Sequence, residues 1–405
     1  MSICIKEALR IISKNIEKVS CEIVPIENIQ ERILAEDIYA NLSLPTFNNS
    51  AMDGYAVKLS DANQEVKVID TILAGSEKRT NFQEKECVKI MTGARVPTTT
   101  EAIIPQELVT IIDDNTILLP ETIKANQHIR FVGEDIEKGE KLLNKGDDLN
   151  FSSVTILASQ GITHVKVYRK PKISVFTSGE ELKLHYEKIE PYQIYNSNTP
   201  TLLARTKELG ADVTFVGMAK DNLESLKDVI SNSLYADFII TSGGISVGDA
   251  DFTKEAFDSF DMETLFNGIT IKPGKPTVFG KINNTYVLNL PGNPLAAALI
   301  FEVFGKIIMQ KLSGSKNIYH NTLLAKMGEK LDNKKGRTTI IPGFFDGEFF
   351  TASLKRAAGM VGVLHKCNAI MVLNKQNEKI EKDALVKILP INWKFFTDIE
   401  KDYFN

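Results

Sequence analysis

Residues 236–252, ADFIITSGGISVGDADF, set the reading of this 405-residue chain. The apolar run Phe238-Ile239-Ile240 has the character of a buried strand, and it breaks into Thr241-Ser242-Gly243-Gly244. Glycine lets a backbone pass close to a ligand, and successive N–H groups in such a turn form a concavity for anions. Ser246, Gly248, Asp249 and Asp251 follow. The helix expected from about 251 to 260 would aim its positive end at the same place. An aspartate pair there suits a divalent cation held against bound phosphates. The stretch reads as a phosphate and metal site at the end of a sheet strand. It is not a P-loop, since no glycine-rich loop ending in Gly-Lys-Ser/Thr occurs.

Working outward, the chain from Lys172 alternates strands and helices. Strands are expected at 172–176, 213–218 and 237–241, and helices at 199–209, closed by Gly210, and at 223–234. Further strands are expected near Thr270, near Thr277 and at 286–290, then a helix from Pro294 to about Leu312. That rhythm predicts a mostly parallel sheet covered on both faces, with ligands at the carboxyl ends of its strands. The loops TSGEEL (177–182), TSGGIS (241–246) and LPGNP (290–294) all fall on that edge.

On either side the texture is different. Residues 5–18 and 151–162 have helical spacing, the second closed by Gly161, and they bracket short β-rich runs at 65–72, 86–91, 101–105, 109–112 and 116–119. A β insertion within a helical module is expected. Beyond Gly314 strands recur at 338–342, 349–353, 369–373 and 385–389, as in a small barrel, with Phe344, Phe345, Phe349 and Phe350 assigned to its core. The expected division is 1–24 with 148–170 as a discontinuous helical module, 25–147 as an inserted β-rich domain, 171–315 as an α/β domain and 316–405 as a β-barrel-like domain. The fold class is thus multidomain α/β plus β.

Bulk properties narrow the function. The content is 43% hydrophobic and 25% charged, with a net charge of −4, which is ordinary for a soluble protein and gives no general attraction to nucleic acid or anionic membrane. Cys4, Cys21, Cys87 and Cys367 are scattered, and the five histidines lack metal spacing, so reduced, buried thiols in a cytoplasmic protein are expected rather than structural zinc. The charged amphipathic start is not that of a signal peptide, and the apolar run 295–304 is too short to span a bilayer.

Several smaller constellations carry chemistry. Lys272-Pro273-Gly274-Lys275-Pro276 sets two cations around a stiff turn. An anion site and a solvated turn both describe it. In Leu290-Pro291-Gly292-Asn293-Pro294, Asn293 suits a helix N-cap and Pro294 the first helical position. Capping alone explains them, and an anion cradle at that helix end is the functional alternative. Asp53, in SAMDGYAV (50–57), reads as an exposed turn residue, and Thr92 in MTGARVP (91–97) and Asp135 in GEDI (133–136) likewise set a polar group beside a glycine.

Together SAMDGYAV, MTGARVP, GEDI, TSGEEL, TSGGISVGDADF (241–252), KPGKP (272–276) and LPGNP resemble the molybdopterin molybdenumtransferase family, the MoeA-type insertases related to the gephyrin E domain. The seven strings occur in the family's order across almost the whole chain. The resemblance implies a homodimer with a site shared across subunits and a molybdopterin-binding α/β domain. The implied reaction inserts molybdenum from molybdate into adenylylated molybdopterin, cleaves the pyrophosphate link and releases AMP, assisted by Mg2+. Catalytic residues implied by position are Asp53, Thr92, Asp135, Glu181, Asp221 and Asp251. Substrate-binding residues implied are Ser242, Gly243, Gly244, Ser246, Gly248, Asp249, Lys272, Lys275, Pro291, Gly292, Asn293 and Pro294. Asp249, Asp251 and Glu181 are the implied metal ligands. Asp53 and Thr92 would face the α/β domain of the other subunit, and an adenylyltransferase and acceptor molybdoenzymes are the implied protein partners.

Two departures stand out. Gly268 replaces a basic residue frequent in the family, and residues 357–366 lack a serine-rich stretch often present there. The competing functions are molybdopterin adenylylation, which shares the α/β domain, and a non-catalytic gephyrin-like scaffold.

Overall fold

Phe238, Ile239 and Ile240 are fully buried, because the strand that carries them lies inside a sheet covered on both sides. In the computed structural model, which describes residues 2–244, 252–334, 336–376, 379–392, 400 and 402, this sheet has six strands. They are β1 (Lys172–Ser178), β2 (Asp212–Ala219), β3 (Phe238–Ser242), β4 (Glu263–Asn267), β5 (Val278–Ile282) and β6 (Thr285–Leu290). The order across the sheet is β2-β1-β3-β6-β5-β4. The first four are parallel, and β5 runs antiparallel to both its neighbours, β6 and β4. Helices α1 (Asn198–Glu208), α2 (Leu223–Ser231), α3 (Phe252–Asp258) and α4 (Pro294–Ile300) complete the layers.

Alternation along the strands separates the two faces. Val175, Phe238, Ile240 and Leu288 join one core with Leu202 of α1, Leu295 and Leu299 of α4, and Ala8 and Ile12 of the N-terminal helix Ile5–Asn15. Phe176, Ile239 and Val287 join another with Leu226 and Ile230 of α2 and Ala256 of α3. A strand buried on both faces must be apolar nearly throughout, which is why β3 reads as an unbroken run. The connection from β1 to β2 runs outward and that from β2 to β3 returns past β1, so the winding direction changes between β1 and β3. Such a switch leaves a crevice at the carboxyl ends.

By its contacts the chain divides into two compact units. One comprises residues 1–36, 145–154 and 164–405; the other comprises 37–144 and 155–163. Within the first, Leu323–Met327, Thr338–Phe345, Phe349–Ala352, Ala369–Leu373 and Leu385–Pro390 close on themselves as a five-stranded barrel. Met327, Ile341, Phe345, Phe350 and Ile388 fill it. The second unit holds a six-stranded mixed sheet built on Gly54–Val57, Glu65–Ile72 and Glu86–Ile90, with apolar clusters on both faces. The multidomain α/β-plus-β class expected from the sequence is therefore the observed one. No helix among the described residues is long and apolar enough to cross a membrane.

Four local expectations need correction. The strand near Thr270 is only Ile271–Lys272, and it pairs with Thr338–Thr339 of the barrel rather than joining the α/β sheet. The sheet's last strand is instead β4, whose short sequence ETLFN has only two adjacent apolar residues and neither alternates nor forms an apolar run. Of the four phenylalanines assigned to the barrel core, Phe345 and Phe350 are inside, while Phe344 is exposed and Phe349 half-buried. Adjacent residues of a strand face opposite sides, so both members of each pair could not be core. Of the four cysteines expected to be buried, Cys87 is, Cys367 is half-buried, and Cys4 and Cys21 are exposed because they lie at the edge of the N-terminal helix and of the strand Cys21–Pro25.

Candidate active site

Four strand ends meet in register. Ser178 lies opposite Ala219, Thr177 opposite Ser242, and Ser242 opposite Leu290. The turns that leave them carry Gly179 and Glu181, Asp221, Gly243-Gly244, and Gly292-Asn293, and all of these line one cleft of about 660 Å3. Buried polar side chains brace the turns. Thr177 Oγ1 donates to the Ser242 carbonyl at 2.6 Å. Asn198, at the start of α1, donates through Nδ2 to the Gly292 carbonyl at 2.7 Å and to Ser242 Oγ at 3.1 Å. One side chain thus fastens the turn after β6 to the end of β3.

The double glycine is a steric requirement. Gly243 and Gly244 have φ of 97° and 68°, where a side chain is strained. A Cβ on Gly243 would lie 2.5 Å from the Ser178 carbonyl, and one on Gly244 would collide with Thr253 Oγ1 and come within 2.6 Å of Ser178 Oγ. Ser178 Oγ is itself buried on the cleft wall and has no hydrogen-bond partner among the described residues. A hydroxyl left unpaired beside a glycine turn is a ready donor to a ligand oxygen.

Two carboxylates, Glu181 and Asp221, line the same cleft. The Glu180 N–H donates to Asp221 Oδ2 at 3.4 Å, a long bond. Hard oxygen donors with this freedom fit a magnesium ion, which takes one or two carboxylates and completes its shell with water and phosphate. Among the described residues no cluster of three acidic, histidine or cysteine side chains forms a ready-made metal cage. Ser246, Gly248, Asp249 and Asp251 lie outside the described residues.

Other expected site residues lie elsewhere. Gly292, Asn293 and Pro294 line the cleft, whereas Pro291 is buried and does not. Asn293 occupies the N-cap position of α4 but makes no side-chain cap. The first free amides of that helix, Leu295 and Ala296, instead donate to the Ala358 carbonyl at 3.0 and 3.3 Å. Lys272 and Lys275 are exposed and are not among the cleft-lining residues. Gly268 has φ of 88°, and a Cβ there would lie 2.7 Å from Ser2 Oγ. The N-terminal segment, with Ile3 donating to the Gly268 carbonyl at 3.1 Å, occupies that side.

Asp53, Thr92 and Asp135 belong to the second unit. The Thr92 N–H and Oγ1–H both donate to Asp53 Oδ1, at 2.7 and 2.8 Å. These bonds, the backbone one foremost, hold the Asp53 carboxyl below the ordinary carboxylate range. Asp135 is exposed, and its N–H donates to the Leu44 carbonyl at 3.0 Å.

Residues 3–161 match the model of the MoeA N-terminal region (domain I and II), and residues 174–311 match that of a probable molybdopterin binding domain. A molybdopterin molybdenumtransferase of Haemophilus influenzae is 38% identical over 379 residues, covering 90% of this chain and 93% of the relative. The chain belongs to the molybdopterin molybdenumtransferase family. A Staphylococcus epidermidis molybdopterin molybdenumtransferase is 34% identical over 347 residues, covering 84% and 83%. A molybdopterin biosynthesis MoeA protein from Pyrococcus horikoshii superposes with a TM-score of 0.84 at 30% identity, over 97% of this chain and 100% of that one.

For a molybdopterin molybdenumtransferase, the cleft at the switch point of the probable molybdopterin binding domain is where substrate is expected. Some residues that build it carry no motif and were not singled out from the sequence. Asn198 and Ala358 act through contacts 94 and 63 residues away in sequence. Tyr195 lines the cleft as well, and the aromatic spacing of PYQIYN (191–196), just ahead of a helix, was the available sign of it.

Proposed function

We propose that this chain acts in molybdenum cofactor biosynthesis as a molybdopterin molybdenumtransferase, inserting molybdenum from molybdate into adenylylated molybdopterin and releasing AMP. The observation that carries this reading is the registered set of four strand ends, which brings two glycine turns, the Ser178 hydroxyl, unpaired among the described residues, Glu181 and Asp221 to one cleft. A pyrophosphate needs donors and charge neutralisation along its length, and cleaving it needs positioning more than a strong base.

In this scheme the Gly243-Gly244 turn and Ser178 orient the phosphates, and Asn198 keeps the turns at fixed separation. Glu181 and Asp221 hold Mg2+, with Asp249 and Asp251 as further candidates. When bound, the ion neutralises charge on the phosphate oxygens. Lys272 and Lys275 attract molybdate, a tetrahedral dianion. Asp53, Thr92 and Asp135 come from the second unit of another copy, which makes a homodimer the working assembly.

The test is a single-turnover assay with adenylylated molybdopterin, molybdate and Mg2+. Molybdate-dependent AMP release with formation of active cofactor is expected. Tight nucleotide binding without AMP release would overturn the insertase reading, and ATP-dependent adenylylation of free molybdopterin would then separate adenylyltransferase from scaffold.

A further inference from the structure

The cleft has a second character that phosphate binding does not explain. Ile194, Tyr195, Phe252 and Val361 all line it, yet each is well exposed, at 56%, 45%, 38% and 51%. Large apolar side chains gathered around one opening mark a surface that something covers. A ligand made of phosphates alone would leave this wall bare. One that joins phosphates to a flat ring would cover both parts.

We propose that Tyr195 provides the stacking face for a planar heteroaromatic ring of the substrate. The assignment rests on the functional reading above, in which that ring is the adenine or the pterin of adenylylated molybdopterin. Tyr195 is chosen over the other three because it is anchored. Its hydroxyl donates to the Glu187 carbonyl at 3.1 Å. Its backbone lies in a two-residue parallel ladder, Leu182 opposite Ile194 and Lys183 opposite Tyr195. Bonds from the Ile194 N–H to the Glu181 carbonyl at 2.9 Å and from the Asn196 N–H to the Lys183 carbonyl at 2.7 Å close that ladder.

The ring is therefore tied to the segment that carries Glu181, one of the two described carboxylates of the cleft. Among the described residues, no aromatic ring or cation is paired with it; the neighbouring ring contact is His185 with Tyr186. A ring held at both ends loses little freedom on stacking, and aromatic faces accept a base through the π surface alone.

The test uses the full chain and equilibrium binding of AMP, ribose 5-phosphate and neopterin. Tyr195→Ala is expected to weaken AMP or neopterin binding about tenfold, equivalent to about 1.4 kcal/mol. Ribose 5-phosphate binding is expected to stay unchanged. Which of the two probes is weakened tells whether the ring takes the adenine or the pterin. Tyr195→Phe, which drops the tether to Glu187 but keeps the ring, is expected to retain affinity. In Tyr195→Trp the new indole emission is expected to be quenched by the same probe, beyond any change seen with the wild type and its own Trp393, and not by ribose 5-phosphate.

Equal loss of ribose 5-phosphate, or a Phe variant as weak as the Ala variant, would mean a structural role and overturn the stacking assignment. So would unaltered binding of both ring-bearing probes by Tyr195→Ala. If the wild-type protein binds neither AMP nor neopterin, the functional reading falls with it.

Discussion

Asp53 and Glu181 were both expected at one reaction, yet the chain presents them in opposite ways. Asp53 stands exposed in the second unit and is fixed by two hydrogen bonds from a single threonine. Glu181 lines a cleft of the first unit beside Asp221. A carboxylate with its charge secured and its direction set suits electrostatic positioning of a reacting group. One in a cleft with oxygens to spare suits a metal that exchanges water for phosphate. The difference separates two roles that the sequence, offering only acidic residues beside glycines, left merged.

The largest effect should come from removing the fixed charge. Asp53→Ala is expected to lower the rate of molybdenum insertion by on the order of 100-fold, as loss of one preorganised electrostatic group does. AMP binding should be unchanged, because Asp53 is not among the residues lining the cleft. Loss of AMP affinity in parallel with rate would erase the distinction between the two carboxylates. Thermal melting should fall only slightly, since the side chain is exposed and gives up only its two bonds from Thr92.

Next in size is Glu181→Gln, which keeps shape but removes a hard anionic ligand. The Mg2+ concentration at half-maximal rate is expected to rise roughly tenfold, the lower end of what loss of even a supporting residue costs a metal site. An unchanged magnesium dependence would move the metal away from Glu181. Magnesium titration of Asp53→Ala supplies the contrast, since no shift is expected there.

A pH profile sharpens the same comparison. Thr92 holds the Asp53 carboxyl below its ordinary range, so the residue stays ionised until the pH falls through that depressed value. By linkage, any stability it contributes is present above the unfolded carboxylate pKa and is lost as pH falls through the folded one. Thr92→Val removes the hydroxyl donor and keeps the backbone donor, so the acidic limb of activity should move to higher pH, with a smaller effect near neutrality. An acidic limb that stays in place would mean that another group sets it.

How much of this was legible in the sequence depended on the range of the interaction. The strand Glu65–Ile72 falls where its local pattern puts it, and the three glycine-bearing loops lie together at the sheet edge because βαβ topology dictates that edge. Contacts made at long range were not legible. Local rules put Asn293 at the cap of α4 and gave it the capping bond; the position is right, but Ala358 supplies the acceptor. Gly268 could be noted as a departure, but not that its φ of 88° strains any side chain there, or that a Cβ would press on Ser2 Oγ. The role of Lys272 was read from charge alone, whereas its backbone also joins the barrel through Thr339.

The smallest effect concerns Ser178, where binding and stability should move in opposite directions. Its hydroxyl is buried and unpaired among the described residues, and an unsatisfied buried donor costs about 1–3 kcal/mol in the free protein. Ser178→Ala removes that cost and leaves the strand end otherwise intact, so the free protein should melt at the same temperature or slightly higher. If the hydroxyl is held in reserve for a phosphate oxygen, AMP should bind more weakly by about 1 kcal/mol, the net worth of one hydrogen bond, or roughly fivefold. Adenosine, which lacks the phosphate, should bind the variant and the wild type alike. A variant that is destabilised, or that loses adenosine and AMP equally, would make Ser178 a packing residue of the sheet. The contrast would then rest on Glu181, Asp221 and the glycine turns alone.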